Sequence, residues 1–280
     1  TEDVSDDLPE LKTKPHYLGM TEEQIEIHDE VETMLEESKE EIDEIKRKIG
    51  NCNNSNRRQK LEEELEDLEG SVMGLMSIQV EISDDLRLLS MSDSYWVRQL
   101  VEDINNFRSK KLLKYIDLTT KILNYNKDFK LVTFTRFARM VELLKQELLN
   151  LDFVNKISTI TGSKSEKARD KEIQKFQNDD GCRIIILTNS GCEGYNLQQA
   201  SHLINYDLPW NPAILDQRIG RIKRIGSPWD RIFVSNLVSK GSVDENILSA
   251  IERKRQWFNR IVANTSTQEK ALKEFVSDIA

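Results

Sequence analysis

Apolar residues in the second half of the chain fall into short runs that are separated by segments with helical spacing. Strands are predicted at residues 131–134, 157–160, 183–188, 203–206 and 231–238. The continuous apolar run at 184–187 is typical of a strand that is buried on both faces. Strand alternating with helix predicts an α/β fold, with a parallel sheet flanked by helices. Ligands of such sheets bind beyond the carboxyl ends of the strands.

The first half has a different pattern, typical of a charged helical hairpin. Thr21 followed by Gln24 forms a capping box that predicts a helix start. Two stretches with helical spacing flank the polar breaker at 50–56. The apolar positions are Val31, Met34, Leu35, Ile42, Ile45 and Ile49 before it, and Leu61, Leu65, Leu68, Val72 and Leu75 after it. Their narrow stripes predict a coiled-coil-like antiparallel pair over residues 21–80.

Four segments follow from these patterns. Residues 1–20, with Pro9 and Pro15, are predicted to be an extended link, and 21–108 to be a helical region. Apolar spacing predicts that helix continues through 83–125. The α/β unit is expected over 109–265, and a final helix over 266–280. Because the sequence opens with Thr1 rather than Met, we expect a fragment of a longer protein.

Charge also differs between the first third of the chain and the remainder. The net charge is −9, and residues 1–90 contain 26 acidic and 10 basic side chains, which leaves +7 for the remainder. A polyanionic partner is therefore expected on the second part. The acidic hairpin either binds a protein partner or is simply solvated. Three Cys and three His show no metal-ligand spacing. Free thiols indicate a reducing compartment, cytoplasmic in a bacterial or phage-infected cell, or nuclear in a eukaryote. No membrane span is predicted.

Residues 211–226 form the segment with the clearest chemistry. Asn211 and Pro212 predict a helix start and Gly226 a helix end. One stripe of the predicted helix is apolar and another combines an amide with two guanidinium groups. These stripes are Leu215, Ile219 and Ile222, and Gln217, Arg221 and Arg224. Paired arginines suit phosphate or the charge that develops during phosphoryl transfer. The alternative is a basic surface helix with ordinary ion pairs, but Gly220 within it indicates close packing or an approaching ligand.

A second candidate segment directly follows the buried strand at 183–188. It contains Thr188, Ser190, Gly191, Gly194 and Asn196. Glycines and small hydroxyl residues at the carboxyl end of a parallel strand leave backbone N–H groups open to phosphate. Two glycines alone are weak evidence, because any turn needs them.

Together these segments resemble the C-terminal RecA-like lobe of Swi/Snf-type DNA-dependent ATPases of helicase superfamily two. The similar motifs run in family order over 109–255. They are Ser109-Lys110-Lys111-Leu112, Val132-Thr133-Phe134-Thr135, Thr161-Gly162-Ser163, Gly191 to Leu197, Asp207-Leu208-Pro209-Trp210-Asn211-Pro212, and Gln217 to Gly226. The order makes the resemblance specific, unlike any single motif. It implies a helicase C-terminal lobe at 109–265.

The resemblance also implies roles for individual residues. Arg221, Arg224 and Gln217 match the last motif, whose arginines reach the γ-phosphate of ATP on a first lobe. Gly191, Gly194 and Asn196 match the loop between nucleotide and nucleic acid. Thr135, Gly162, Thr188 and Ser190 match positions that touch the DNA backbone. Trp210 either stacks on a base or packs at a corner. ATP, Mg²⁺, duplex DNA and the first lobe of the same polypeptide are the implied partners.

This sequence departs from the family pattern at several positions. Cys192-Glu193 and Tyr195 replace the usual Gly-x and Leu, and Glu193 puts a negative charge where phosphate is expected. Ser227 stands where the family has Gln. The stretch from Gln217 to Arg221 is more similar to bacterial and phage members, and to helicases outside this branch, than to chromatin remodellers. A strand-separating helicase lobe and a non-catalytic interaction module therefore stay open as alternatives.

We predict that this 280-residue chain alone does not hydrolyse ATP, because it has no Walker A motif and no acidic Mg²⁺-binding box. Two arginines cannot drive phosphoryl transfer without a phosphate cradle. The check is steady-state ATP hydrolysis by the pure chain with and without duplex DNA. A DNA-stimulated rate above that of the same chain carrying Arg221→Ala would contradict the prediction.

Overall fold

The protein is described by a computed structural model that covers residues 8–102, 104, 106–189 and 194–263, with the backbone alone for 257–263. Six strands and nine helices lie within these ranges. The strands are β1 (Glu10–Gly19), β2 (Leu131–Thr135), β3 (Ile157–Ile160), β4 (Ile184–Thr188), β5 (His202–Asn205) and β6 (Arg231–Lys240). The helices are α1 (Glu22–Gly50), α2 (Ser55–Asp84), α3 (Arg87–Ser90), α4 (Tyr95–Gln99), α5 (Lys110–Tyr125), α6 (Ala138–Leu149), α7 (Glu166–Asn178), α8 (Pro212–Gly220) and α9 (Val243–Ala263).

The strands form one parallel sheet in the order β1-β6-β5-β2-β4-β3. Every residue of β2, β3 and β4 is buried. Helices α7, α8 and α9 pack on one face of the sheet, and α5 and α6 pack on the other. The expected α/β fold with a parallel sheet flanked by helices is therefore confirmed. Among the described residues, no helix is long and apolar enough to cross a bilayer.

The edge strand β1 lies in the segment for which the sequence indicated only an extended link. Its ten residues pair in parallel with β6, from Glu10 opposite Arg231 to Gly19 opposite Lys240. Most of its side chains are exposed, so the sequence has no apolar run that would indicate a strand. The sheet thus uses residues outside 109–265, the range expected for the α/β unit. The helix expected at 266–280 lies outside the described residues.

Helices α1 and α2 form the expected antiparallel hairpin. The Thr21 hydroxyl accepts a hydrogen bond from the Gln24 amide N–H at 3.3 Å, and the Gln24 side chain accepts one from the Thr21 N–H at 3.1 Å. At the tip, the Asn54 side chain caps α2 by accepting from the Arg57 N–H at 3.1 Å. Helices of this length extend about 45 Å. Burial is concentrated at the base of the hairpin, because α2 is continuously buried only over residues 78–84.

Residues 83–125, which were expected to be helical, are helical only in part between α2 and α5. Helix α2 ends at Asp84, and only the short helices α3 and α4 lie before α5 begins at Lys110. The side chains here pack under the hairpin base rather than along one helix face. This small core consists of Val31, Ile78, Ile82, Leu86, Leu89 and Val97. Cys52 and Cys182 are free thiols, and Cys192 lies outside the described residues.

A buried lysine ties the hairpin base to the α/β unit. Lys111 of α5 is 1% exposed and donates to Asp84 at 2.7 Å and to Asp244 at 2.6 Å. Burial alone would lower the pKa of Lys111, but the two carboxylates outweigh it and raise this pKa above its ordinary value. Asp84 closes α2 and Asp244 opens α9, so one ammonium group joins three helices. We call Lys111, Asp84 and Asp244 the lysine brace.

We predict that Lys111→Met lowers the free energy of unfolding by about 3–5 kcal/mol, because it leaves two buried carboxylates without their cation. The control is Lys114→Met on the same helix, whose partner Asp117 is 39% exposed. Exposed pairs contribute little, so that loss should stay below about 1 kcal/mol. Urea denaturation followed by circular dichroism measures both. Equal losses in the two variants would contradict the role of the lysine brace.

Candidate nucleotide and nucleic-acid interface

The carboxyl ends of the parallel strands meet at one edge of the sheet, which we call the carboxyl edge. It consists of the residues directly after β2, β3, β4, β5 and β6, namely 136–137, 161–163, 189, 206–211 and 241–242. Of the candidate residues predicted from the sequence, Gly162 and Trp210 lie on this edge, Thr135 and Thr188 are the last residues of β2 and β4, and Gln217 lies on α8. The topology alone thus gathers segments that are up to about a hundred residues apart in the chain.

Helix α8 begins where the sequence predicts. The Asn211 side chain accepts a hydrogen bond from the Ala213 N–H at 3.0 Å, and Pro212 occupies the first turn. The expected apolar stripe is buried, with Leu215 1%, Ile219 7% and Ile222 0% exposed. The helix therefore packs on the sheet along one face, with its other face turned outward.

The predicted extent of this helix to Gly226 is wrong. Helix α8 ends at Gly220, and residues 221–226 continue as turns until Gly226 adopts a φ of +81°. The Arg221 carbonyl accepts a hydrogen bond from the Leu197 N–H at 2.9 Å, which draws the chain away from the helix axis. Gly220 is the last helical residue, and no described atom lies within 4 Å of the place a Cβ would take. Close packing therefore does not explain it, and open space lies beside it.

The early helix end separates the three side chains expected on one helix face. Gln217 is exposed on α8, and Arg221 is the half-buried residue that caps its carboxyl end. Arg224 lies beyond the helix, exposed, with its Nε donating to the Gly220 carbonyl at 3.1 Å. Arg221 differs from Arg224 because its Nε is buried and has no hydrogen-bond acceptor among the described residues. Arg221 is thus the arginine of the pair that has a buried, unused donor.

The loop after β4 is only partly described. Gly194 has a φ of +82° and open space where a Cβ would stand, which leaves its backbone accessible. Asn196 has a local role, because its side chain donates to the Gln198 side chain at 2.9 Å and accepts from the Gln198 N–H at 3.2 Å. Residues 190–193, which include the candidates Ser190 and Gly191 and the departures Cys192 and Glu193, lie outside the described residues.

The candidate nucleic-acid contacts differ in how available they are. Thr135 is fully buried and its hydroxyl donates to the Asp207 carboxylate at 2.6 Å, so that group is already used. Thr188 is also buried. Gly162 is exposed after β3, and its carbonyl accepts from Arg169 at 2.7 Å.

Trp210 lies at the corner before α8. It packs against the core below the sheet, and the Arg136 guanidinium lies 5.6 Å from the centre of its ring. Of the two expectations for Trp210, the structure shows the packed corner. Its ring is still half-buried rather than enclosed, so its outer surface stays accessible.

Sequence reasoning missed Arg218, the largest fully buried side chain among the described residues. Its guanidinium donates to the Asn205 side chain at 3.0 Å, to the Asp207 carbonyl at 2.7 Å and to the Asn189 side chain at 2.8 Å. It also lies 5.2 Å from the centre of the Phe134 ring. A signal was present, because Arg218 falls at i+3 within the stripe of Leu215 and Ile219. An arginine inside an apolar stripe indicates a buried cation that is held by hydrogen bonds.

No group of three or more His, Cys, Asp or Glu side chains that could hold a metal ion exists in the part of the chain that the structure describes. The candidate interface instead includes the unused nitrogen of Arg221, the open turn at Gly194 and the half-buried Trp210. Such a surface fits anionic groups brought to it from outside the chain.

The model of the helicase conserved C-terminal domain matches residues 110–226, from the start of α5 to the turn that ends at Gly226. Residues 110–226 are a helicase C-terminal domain. The match includes β2 to β5 and α8, and therefore most of the carboxyl edge. It confirms the resemblance to the C-terminal lobe of Swi/Snf-type ATPases on which the sequence interpretation rests.

Relatives of this helicase C-terminal domain support the same assignment. The chain is 33% identical over 193 residues to the uncharacterized ATP-dependent helicase YqhH of Bacillus subtilis, covering 67% of this chain and 33% of that protein. The chain therefore spans about a third of the length of this relative.

Solved structures with the same fold include parts of two ATPases. The C-terminal part of the Fun30 ATPase domain has a TM-score of 0.59 at 20% identity, covering 87% of this chain and 90% of that one. The Sulfolobus solfataricus SWI2/SNF2 ATPase core in complex with dsDNA has a TM-score of 0.57 at 24% identity, covering 94% of this chain and 48% of that one. The expected RecA-like fold is confirmed.

We predict that Thr135→Val lowers the free energy of unfolding by about 1.5–3 kcal/mol, because it removes a donor from the buried Asp207 carboxylate. The matched control is Thr161→Val, whose buried hydroxyl bonds only the neutral Ser163 hydroxyl, at 2.9 Å. That loss should be about 0.5–1.5 kcal/mol, as for a bond between neutral groups. Urea denaturation of both variants measures the difference. A Thr135→Val loss no larger than that of the control would show that the Asp207 network adds nothing.

Proposed function

We propose that this chain is the second motor lobe of a Swi/Snf-type DNA-dependent ATPase and translocase, with Arg221 as its main arginine finger. The observation that carries the proposal is the buried Arg221 Nε without an acceptor at the carboxyl end of α8. A guanidinium held in place with an unused donor is prepared for an anion that arrives from outside. The chain has no phosphate cradle of its own, so the ATP would be held by a first lobe.

The surroundings of Arg221 fit an approaching phosphate group. Its carbonyl is fixed by the Leu197 N–H, so the residue cannot swing freely on a loose turn. Gly220 and Gly194 both have open space where a Cβ would stand. Arg224 is exposed, with one nitrogen occupied by the Gly220 carbonyl, and would act as a second, weaker contact. Gln217, exposed one turn before Arg221, would face the first lobe.

The Mg²⁺ and ATP of the complete enzyme would supply the phosphoryl group and the metal charge. This chain's residues would position cations against that group and exclude water when the lobes close. Gly191, Gly194 and Asn196 would line the side of the cleft that lies between nucleotide and nucleic acid. Asn196 would do so through its backbone, since its side chain is used within the turn.

Two further arginines, one on the carboxyl edge and one beside it, support a nucleic-acid partner. Arg136 after β2 and Arg169 beside Gly162 each have a buried side-chain nitrogen without an acceptor among the described residues. Phosphate oxygens would satisfy both, and such contacts position a protein without reading base sequence. Trp210, packed beside Arg136, would offer its outer face to a base or sugar. Thr135 would contribute only its backbone, and the contacts proposed for Thr188 and Ser190 complete the set.

Duplex DNA is the proposed substrate, and a single-stranded nucleic acid is the alternative. One structural neighbour is an ATPase core in complex with dsDNA, whereas one relative is named a helicase. Much of the negative charge lies in the first 90 residues, which include the acidic hairpin of α1 and α2, and the remaining residues carry a net charge of +7, which suits a polyanion. A protein partner on that hairpin remains the other role proposed for it.

The deciding experiment is steady-state ATP hydrolysis by the full-length gene product without nucleic acid, and with single-stranded DNA, duplex DNA or RNA. Duplex DNA should stimulate most, and Arg221→Ala should reduce the stimulated kcat on the order of 10³-fold, as loss of an arginine finger does. The control is Arg231→Ala, an exposed arginine at the opposite end of the sheet that pairs with Glu10 at 2.7 Å.

The other outcomes separate the alternatives. Stronger stimulation by single-stranded DNA or RNA would favour the strand-separating helicase lobe. Hydrolysis that ignores nucleic acid, or that survives Arg221→Ala at the control rate, would refute the motor-lobe proposal. In that case the acidic hairpin would become the main candidate for function, as part of an interaction module.

A further inference from the structure

Arg218 forms hydrogen bonds to residues at more than one strand, which the packing of α8 on the sheet does not by itself require. It is 1% exposed and projects from α8 beneath the carboxyl edge. Through Asn189 it reaches the residue after β4, and through Asn205 and Asp207 it reaches the end of β5. Its guanidinium lies 3.5 Å from the Asp207 carboxylate.

Its two partners on β5 extend the connection to the neighbouring strands. The Asp207 carboxylate accepts from the Thr135 hydroxyl at 2.6 Å and from the Arg136 N–H at 2.7 Å, both at the end of β2. The Asn205 side chain donates to the Asn236 side chain of β6 at 2.8 Å. The ends of β2, β4 and β5 and the middle of the adjacent strand β6 are thus linked to one side chain on α8. We call this set the arginine hub: Arg218, Asn189, Asn205, Asp207, Thr135 and Asn236.

Stability alone is a poor explanation for such a hub. Burying an ion pair costs desolvation that its mutual attraction often only balances, and an apolar residue of similar size commonly stabilises as well. Buried polar networks instead fix one arrangement of the parts they connect, because any shift leaves a charge without partners. Position, rather than stability, is therefore what the arginine hub provides.

The parts that the hub connects have different proposed tasks. Arg136, with its unused guanidinium nitrogen, lies directly after β2, and Asn189 directly follows Thr188 at the end of β4. On the other side, Arg218 lies next to Gln217 and three residues before Arg221. The residues proposed to contact nucleic acid are thus connected to those proposed to contact the nucleotide by one set of short, buried hydrogen bonds.

We propose that Arg218 is a positioning residue that couples nucleic-acid contact at the ends of β2 and β4 to the placement of α8 and Arg221. This inference rests on the function proposed above. When phosphates engage the segments after β2 and β4, Asp207 and Asn189 transmit their position to the guanidinium and hence to α8. Arg218 touches neither ligand. Its loss should therefore weaken the response to DNA rather than the binding of ATP or DNA.

The test uses the full-length gene product with Arg218→Lys, because a lysine keeps the charge but cannot form the forked set of hydrogen bonds. Asp207→Asn is the second variant, since it keeps an acceptor oxygen for Thr135 and Arg136 while removing the charge. The control is Arg255→Lys. Arg255 pairs with Asp216 of the same helix α8, but on its exposed side.

The DNA-stimulated kcat should fall at least tenfold in both hub variants, as expected for a small displacement of a catalytic group. The DNA-free rate should stay within about twofold, and the KM for ATP and the half-saturating DNA concentration within about threefold, since ground-state binding is untouched. The double variant should be no more than about twofold worse than Arg218→Lys, because both changes break one network. Arg255→Lys should match the unaltered protein.

Other results distinguish this inference from the proposed function. If the unaltered protein shows no DNA-stimulated hydrolysis, the motor-lobe proposal fails and takes the coupling role with it. If stimulation is present and survives both hub changes, only the coupling role fails. A parallel fall of the DNA-free and stimulated rates, with a lower melting temperature, would show that Arg218 is merely structural. If Arg218→Lys does not fold, the same comparisons on Asp207→Asn decide the question.

Discussion

One constraint governs this structure: all six strands are parallel, so every chain segment leaves the sheet at the same edge. Helices must then carry the chain back, and they cover both faces while they do so. Thr135, Gly162, Thr188 and Asp207 are brought to one edge by this requirement and not by any attraction between them. The arginine hub follows from it, because a side chain of α8 can reach several strand ends only where those ends are neighbours. The proposed site is in this sense a product of topology.

Much of this could be predicted from the sequence, and the exceptions have physical reasons. Strands β2 to β5 were predicted to within about one residue, since strands buried on both faces are rich in apolar and β-branched residues. Strand β1 was missed because its solvent-facing residues carry no pattern and its partner lies far along the chain. The end of α8 was placed six residues late, since a hydrogen bond from Leu197, not a local breaker, turns the chain at Arg221. Arg218 was missed, although it lies within the apolar stripe of Leu215 and Ile219.

The two halves of the chain are stabilised differently, and this separates rigid from adaptable parts. The hairpin base is enclosed by its own small core and by the lysine brace, which binds α2, α5 and α9 together. Farther out, α1 and α2 are held by a narrow stripe and by exposed ion pairs such as Lys46 with Glu69 at 3.0 Å. Exposed pairs are weak, so the outer hairpin can change its sequence or bend at little cost. Any role of the hairpin tip would act through a base that moves with the α/β unit.

The pairing of β1 with β6 has a consequence for how this chain acquires its structure during synthesis. Glu10 and Arg231 are hydrogen-bonded across 221 positions, so β1 leaves the ribosome long before β6, its neighbour in the sheet. Contacts of such high contact order form slowly, whereas the hairpin of α1 and α2 is local and can form early. The nascent chain thus carries an unpaired ten-residue strand while β2 to β5 assemble. Lys12 and Lys14 in that strand are the kind of charge that keeps an exposed edge from pairing with other chains.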